Sequence, residues 1–480
     1  MDKLLTLSGT QIAAMIREGK ISSRQAVETH IEHSKKINPW INAIVAERYE
    51  KALDEADRAD TFLKENGPEK CPPFHGVPCS IKECFSLAGM PQTSGLVARK
   101  GFIAKKDATA VRRLRRAGCI PIGVTNVSEL CMWMESRNNV YGVTNNCYDL
   151  RCIVGGSSGG EGAIVSSGAS PFGLGSDVGG SIRMPAFFNG VFGHKPTGGL
   201  VPNSGQMPMA EGRVAFYCTT GPLCRKAEDL MPLLKIMAGP DGHDPECAAM
   251  EIGDPGKVDL SKIKVLSVPE NRAVRVNHEL VVAQKMAADA LEKVCTSVKH
   301  RTVNKLKYSL PIWSSMLKNH QQTEFGVQLG QGVRIPVFWE LFKWALRASD
   351  HTLPALGLAL LEKFPSPVER FVKMGRELRH ELIELIGTDG VMLYPSYSKP
   401  APRHLEPLLL YDNWVYTAII NAMGFPATQV PLGLSKKGLP MGVQVVGTPG
   451  NDHLTIAVAM ELEKSLGGWV VPKLAEKLSA

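Results

Sequence analysis

The stretch GGSSGGEGAIVSSGASPFGLGSDVGGSIRMPAFFNGVFGHKP, residues 155–196, decides how this chain is read. Two of its serines, Ser157 and Ser181, are flanked by glycines and stand 24 residues apart. A lysine, Lys82 in PCSIKECF, lies 75 residues before Ser157. Amide hydrolysis needs a nucleophile, a base to take its proton, and donors for the oxygen that becomes negative. The two glycines before Ser181 let the backbone turn sharply and approach a substrate carbonyl. The N–H groups of Val178, Gly179, Gly180 and Ser181 are therefore candidate oxyanion donors. Pro185 suits the first turn of a helix starting just beyond, whose dipole favours negative charge. The Ser157 hydroxyl both donates and accepts, so it can relay a proton, with Lys82 as the terminal base. A lysine serves as a base only when neutral, which predicts that burial lowers its pKa. The pattern is Ser-Ser-Lys, a variant of the Ser-His-Asp logic.

Each element alone has an ordinary reading. GGSSGG by itself reads as a linker or tight turn. It lacks the Gly-Lys-Ser/Thr ending of a P-loop and the GxGxxG order of a dinucleotide site. A single lysine after an apolar run is usually structural. The argument is that all three coincide at fixed spacings.

These residues resemble the amidase signature hydrolases. The likeness rests on GGSSGGEGA (155–163), GSDVGGSIRMPA (175–186), GHKPT (193–197), the SIK lysine at 82 and GLPMGVQVVG (438–447), and it covers essentially the whole chain. It implies Ser181 as nucleophile, Ser157 as bridging serine and Lys82 as base, with residues 178–181 as the oxyanion loop. Asp177 and Arg183 would pair to brace that loop. One position departs: GVTN (123–126) carries Val124 where bacterial members commonly have lysine. Within the family, TNVSELCMWMES (125–136), SIRMPAFFNGVFGHKP (181–196), LPALGLALLEKF (353–364) and NDHLTIAVA (451–459) are similar to the vertebrate fatty-acid amide hydrolases, the type 2 branch above all. That implies hydrolysis of primary fatty amides and N-acylethanolamines. It also implies an association with endomembranes or lipid droplets. The hydrophobic segment that precedes this region in the type 2 branch is not seen ahead of residue 1.

The 480 residues are 44% hydrophobic and 21% charged, an ordinary globular composition. The motifs run from Lys82 to residue 447, which predicts one α/β domain over 1–480. The resemblance supplies its form, a large twisted mixed sheet covered by helices. Formal net charge is +8, spread along the chain. The pairs Arg112–Arg113 and Arg115–Arg116 lie in a helix that Asp107 is expected to cap. They read as a solvated basic face or as an attraction to anionic lipid. No basic motif interleaved with aromatics appears, so nucleic acid is not an expected partner. The 11 cysteines form no CxxC pair, which reads as reduced thiols. His30 and His33 are expected on an exposed helix face, no HExxH occurs, and no metal or cofactor is predicted.

Ser8 with Gln11, and Ser22 with Gln25, each read as a capping box. Strands are predicted at 263–268, 391–395 and 443–447. Helices are predicted at 278–296, with Leu280, Ala283, Ala287, Leu291 and Val294 on one face, and at 452–466, ended by Gly467 and Gly468. Residues 335–364 are a candidate membrane-binding cap. There Phe338, Leu341, Phe342 and Ala345 fall on one face, flanked by Trp339 and Trp344, and Glu340, Lys343 and Arg347 fall on another. A core-packing helix is the alternative. Cys131 and Met132, with Trp133 and Met134, are candidates for lining an acyl pocket.

Three functions compete. One is a hydrolase of fatty-acid amides acting at a membrane surface. The second is an amidase of small amides, or one component of a glutaminyl-tRNA amidotransferase. The third is a non-catalytic lipid-binding protein on the same scaffold, against which the retained Lys82, Ser157 and Ser181 argue. A homodimer is compatible with all three.

Overall fold

Short apolar runs bounded by glycine and proline become the strands of this protein. The computed structural model describes residues 1–364, 367–409 and 412–479. Its strands are β1 (Ile44–Glu47), β2 (Pro78–Lys82), β3 (Ile120–Thr125), β4 (Arg137–Asn138), β5 (Gly142–Val143), β6 (Phe172–Asp177), β7 (Phe192–Lys195), β8 (Thr219–Cys224), β9 (Lys264–Ser267), β10 (Ser297–His300), β11 (Gly390–Tyr394), β12 (Ala427–Leu434) and β13 (Pro440–Val446). Among the described residues, eleven of these form one sheet, in the order β1-β3-β2-β6-β8-β7-β12-β13-β11-β9-β10, while β4 and β5 pair separately. β3-β2-β6 are parallel, the run from β6 through β8, β7, β12 and β13 to β11 is antiparallel, and β11-β9-β10 are parallel again. This is the large mixed sheet expected for the family.

Every residue of β2, β3, β6, β8 and β11 is buried, so helices cover both faces. Side chains alternate between two cores. Val391 and Leu393 of β11 join one, with residues of the helices His278–Glu292 and Asp452–Leu466. Met392 and Tyr394 join the other, with the helices Ser309–Lys318, Val368–Ile386 and Val415–Met423.

The predicted strands and the helix 452–466 form where expected, and Gly467 takes the left-handed conformation that ends that helix. The helix predicted to 296 stops at Glu292, because Ser297–His300 is drawn into the sheet as the β10 edge strand beside β9. Ser8 and Gln11 make a full capping box, whereas Ser22 caps Gln25 without the reciprocal bond. Asp107 does not cap the helix Thr109–Arg116, for its carboxylate accepts from Ala88 N–H (2.8 Å) and pairs with Arg115 (2.8 Å).

The arginines of that helix are not one solvated face. Arg113 donates to the carbonyls of Met237, Ala238 and Gly239, and Arg115 bridges Asp107 and Glu55. His30 and His33 are buried rather than exposed. Their ring nitrogens bond Ala26 O and Ser167 O, each at 2.8 Å. Burial, with the nearby Arg225 charge, pushes His30 down to about 3. The helix carrying them is pinned under the body, with Ile31 and Ile37 in the core.

Residues 325–361 form a small cluster of their own. The helices Phe325–Leu329, Val337–Ala345 and Leu353–Leu361 enclose Leu329, Ile335, Val337, Ala355 and Leu356 against Leu96 and Leu130 of the body.

Candidate active site

β2 delivers the lysine. Its period of two sends Cys79 and Ile81 into one core and Ser80 and Lys82 to the opposite side. There the helix Gly159–Ser166 lies against the sheet, close enough that a Cβ at Gly160 would come within 2.4 Å of the Asn126 nitrogen. Ser157 sits in the turn just before this helix, after a cis Gly156–Ser157 peptide bond. Lys82 Nζ donates to Ser157 Oγ at 2.7 Å and to Ser176 Oγ at 2.9 Å, and all three residues are buried. Below them, both Glu161 carboxyl oxygens are engaged, by Ser80 Oγ (2.5 Å) and Thr125 Oγ1 (2.7 Å). Burial pushes that carboxyl up to about 8, so it is held largely protonated.

Ser181 lies in the turn between β6 and the helix Arg183–Phe188. The two serine loops are laced together. Ser158 N–H donates to Ser181 O (3.2 Å), and Ser158 Oγ donates to Ser176 O (3.2 Å). Asp177 organises the turn from inside. Its carboxylate accepts from the N–H groups of Gly180 (2.6 Å) and Ile182 (3.0 Å), and from Arg183 Nε (3.1 Å) and Nη2 (3.0 Å). Arg183 extends the brace to Gln444 (2.8 Å) and Asn421. Asp177 and Arg183 are both fully buried. Burial opposes the charge of Asp177, but Arg183 outweighs it and holds the carboxyl below the usual range. The expected pairing is thus present.

The same bonds correct the expected oxyanion donors. Gly180 N–H is already committed to Asp177, which curls back onto its own loop. Those of Val178, Gly179 and Ser181 bind no protein group among the described residues. Trp313 Nε1 donates to Val178 O (2.9 Å), and Thr417 Oγ1 donates to Gly179 O (2.9 Å). Gly180 has φ +122 and lies so close to the helix Val415–Met423 that a Cβ would sit 2.1 Å from Thr417 Oγ1. Only glycine is accommodated there.

The charge state of Lys82 also differs from expectation. Burial acts to lower its pKa, as predicted, but Cys131, Cys84, Cys218 and Asp177 more than offset this, and the net displacement is upward. Cys84 and Cys218 are themselves pushed up by burial, so at neutral pH their support is small. Cys131 is the neighbour that matters. Its hydrogen bond with Cys84 draws its thiol down against burial, with help from the Lys82 charge.

Sequence reasoning missed Ser176, Cys84, Glu161, Trp313, Thr417 and Asn421. A polar pair spaced by four in the apolar run VYTAIINAM, Thr417 and Asn421, was a usable signal. Of the expected pocket residues, Cys131 places its Sγ 3.7 Å from Ser94 Oγ, whereas Met132 packs against the cluster at 325–361. Met134 is plain core. In the candidate cap, Phe338 (69% exposed), Trp339, Phe342 (53%) and Trp344 project outward. Leu341 does not join them, because it turns in toward the small cluster. Glu340 is buried, taken by Lys343 Nζ (2.6 Å) and Ser349 Oγ (2.7 Å), while Arg347 is exposed, so the expected polar face is split.

The model of the amidase family matches residues 25–456. The chain belongs to that family and is an amide-hydrolysing enzyme. Over 98% of its length it is 46% identical to fatty-acid amide hydrolase 2 of Homo sapiens, spanning 91% of that protein. It is 47% identical to fatty-acid amide hydrolase 2-B of Danio rerio, over 98% of this chain and 91% of that one. Among solved structures, its fold is similar to that of a 6-aminohexanoate cyclic dimer hydrolase (TM-score 0.78, 26% identity, 99% of each chain). It is also similar in fold to a fatty acid amide hydrolase (TM-score 0.78, 21% identity, 97% of this chain and 86% of that one).

Proposed function

We propose that this enzyme hydrolyses long-chain fatty-acid amides, both primary amides and N-acylethanolamines, through an acyl-enzyme on Ser181. Ser181 Oγ attacks the amide carbonyl while its proton passes to Ser157 and on to Lys82. The N–H groups of Val178, Gly179 and Ser181 are the donors left for the oxyanion. The proton then returns through Ser157 to the leaving nitrogen, and amine or ammonia departs. Water, deprotonated along the same chain, attacks the ester, which releases fatty acid and restores Ser181. The observation that carries the reading is the buried 2.7 Å contact of Lys82 Nζ with Ser157, in a loop laced to that of Ser181. An amine donating to a serine, with no imidazole in the group, calls for lysine as the base.

Lys82 acts in its neutral form. The upward displacement of its pKa therefore places the rise in activity on the alkaline side. The substrate class rests on the near full-length likeness to the fatty-acid amide hydrolases. The exposed Phe338, Trp339, Phe342 and Trp344 support a cap that dips into the bilayer, where such amides concentrate. Among the described residues no helix is long and apolar enough to cross a membrane.

The test is a fluorophosphonate probe combined with a hydrolysis panel of primary amides and ethanolamides of several acyl lengths. The wild-type enzyme should label on Ser181 and prefer long acyl chains, and Ser181→Ala should lose both labelling and turnover. Label on another serine overturns the nucleophile. A preference for short amides overturns the substrate class.

A further inference from the structure

The loop that ends in Ser181 is held by its carbonyls. Asp177 O accepts from Asn421 Nδ2 (2.8 Å) and Val178 O from Trp313 Nε1 (2.9 Å). Gly179 O accepts from Thr417 Oγ1 (2.9 Å) and Gly180 O from Met184 N–H (2.7 Å). The peptide bonds along this stretch are trans. In a planar trans peptide the C=O and the N–H that follows it point in opposite directions. Fixing these four carbonyls therefore fixes where the N–H groups of Val178, Gly179, Gly180 and Ser181 point. That of Gly180 is turned onto Asp177 Oδ1 (2.6 Å), which leaves the other three for a ligand.

Trp313 stands apart among the holders. Asn421 and Thr417 are fully buried, and Met184 N–H belongs to the turn that opens the helix Arg183–Phe188. Trp313 is only half-buried and comes from the helix Ser309–Lys318, 135 residues away along the chain. Among the described residues no other group donates to Val178 O. Its ring meets that of Trp414 edge-on, with centroids 4.6 Å apart. Both rings lie over Gly179, where a Cβ would stand 3.0 Å from Trp414 and 3.4 Å from Trp313. Ile312 and Met316 anchor the same helix in the core.

We propose that Trp313 is a positioning residue for the hydrolysis: its indole N–H holds the Val178 carbonyl back and so aims the Gly179 N–H at the oxygen that becomes negative. The proposal rests on the reading of Ser181 as nucleophile with its neighbouring N–H groups as oxyanion donors.

The chemistry gives this contact its value. As Ser181 Oγ bonds to the amide carbon, the carbonyl π pair moves onto oxygen. Donors already aimed there stabilise that charge without reorganising. Gly179 has no Cβ, so the Val178–Gly179 peptide plane swings easily unless something holds it. The absence of a Cβ is also what lets the two indoles pack so close. Without the Trp313 N–H, the Val178 carbonyl is free to turn its negative end toward the oxyanion. Removing an oxyanion donor outright costs about 10²–10³-fold in kcat, and a donor that is present but loosely aimed costs less, about tenfold.

Two replacements in the full chain test this. Trp313→Phe keeps a ring against Trp414 and loses the N–H. The residue 3-benzothienylalanine, placed at 313, keeps the whole bicycle with sulfur where the N–H was. Each enzyme is measured for kcat and KM on a long-chain fatty amide. Each is also titrated with a long-chain trifluoromethyl ketone, whose adduct on Ser181 carries a negative oxygen, and with a long-chain alcohol, which carries none. In both variants kcat should fall about tenfold while KM stays within about twofold. Affinity for the ketone should fall by the same factor as kcat, and affinity for the alcohol should hold. A wild-type kcat with benzothienylalanine overturns the proposal, because the indole would then act by shape alone. A loss confined to KM and shared by the alcohol overturns it too, and makes Trp313 a wall of the acyl site. So does a fall in kcat with ketone affinity unchanged. Labelling of wild-type Ser181 by a fluorophosphonate reports the hydrolase reading separately.

Discussion

Replacing Arg183 by methionine tests how much of the active site depends on a charge that never meets substrate. The guanidinium is fully buried and makes two bonds to Asp177 and one each to Gln444 and Asn421. Methionine keeps much of the volume and none of the donors. Asp177 then stays buried with only backbone N–H groups to hold its charge. Removing one partner of a buried pair costs about 3–5 kcal/mol. Lys195 relieves part of this. Burial and the Arg183 charge together push its amine down to about 7, so loss of Arg183 lets it take up a proton near Asp177. The expected loss is therefore toward 3 kcal/mol at pH 6 and toward 5 at pH 8. The turn loosens with the brace, because Asp177 also holds the N–H groups of Gly180 and Ile182. Fluorophosphonate labelling of Ser181 should slow by about 10²-fold. Urea unfolding at the two pH values measures the first effect, and labelling rates measure the second. Asp177→Asn combined with Arg183→Met should recover part of the stability, because no uncompensated charge remains. If Arg183→Met matches wild type in both assays, or the double variant is worse than the sum of the two single ones, the brace does not work electrostatically.

Other outcomes follow from the same geometry. Lys82→Ala should reduce Ser181 labelling by about 10²–10⁴-fold and steepen its rise with hydroxide; near-normal rates would move the base elsewhere. Phe338→Asp combined with Phe342→Asp should lower liposome binding and turnover of vesicle-borne long-chain amides while sparing a short soluble amide; equal loss on both substrates would indicate a packing role. The cap is tied down by His351, whose Nδ1 meets Glu129 Oε1 at 2.7 Å. Burial opposes that imidazolium, but Glu129, Glu340 and Asp350 outweigh it and raise the pKa above the ordinary 6.5. The pair thus stabilises the cap fully below about pH 6.5 and loses its effect as pH rises through the folded value. Hydrogen exchange over 337–361 should speed up across that range in wild type, and lack the step in His351→Gln.

What was legible in the sequence was whatever a local pattern enforces. The glycines around Ser157 and Ser181 mark backbone that must turn or pack closely, and Gly160 and Gly180 do so against Asn126 and Thr417. Apolar runs such as IKVLSV gave strands because nothing else buries so short a segment. What was hidden depended on partners far along the chain. Gly180 read as a free donor because nothing local shows that Asp177 folds back onto it. His30 and His33 read as exposed because their charged neighbours reach solvent while the rings tuck inward. Asp107 sits where a cap belongs, yet Arg115 and the Ala88 N–H compete for it more effectively. Lys82 is the sharpest case. Burial was readable from VPCSIK, but the groups that reverse its effect, Cys131 first and Asp177 with it, come from far along the chain.

The proposed mechanism puts substrate capture and chemistry on separate parts of the chain. The nucleophile loop is clamped from behind by Asp177, Arg183, Thr417 and Asn421, all fully buried, so its geometry does not depend on a ligand. The cap residues outside their small cluster contribute little to folding, since Phe338, Trp339, Phe342 and Trp344 pack no core. Exposed apolar surface gathered in one place commonly marks a contact site. Burying two or three such side chains in a bilayer contributes roughly 1.5–3 kcal/mol each, enough for reversible docking and too little to trap the protein. The turn that joins these regions is Glu129–Cys131. Glu129 holds the cap through His351 and the Thr352 N–H (2.7 Å), Leu130 enters the cap cluster, and Cys131 Sγ lies 3.7 Å from Oγ of Ser94, whose own N–H donates to Glu83 next to Lys82. One turn of three residues thus adjoins both the cap proposed to meet lipid and the loop that packs beside the proposed base. A change at either end has a short, rigid path to the other.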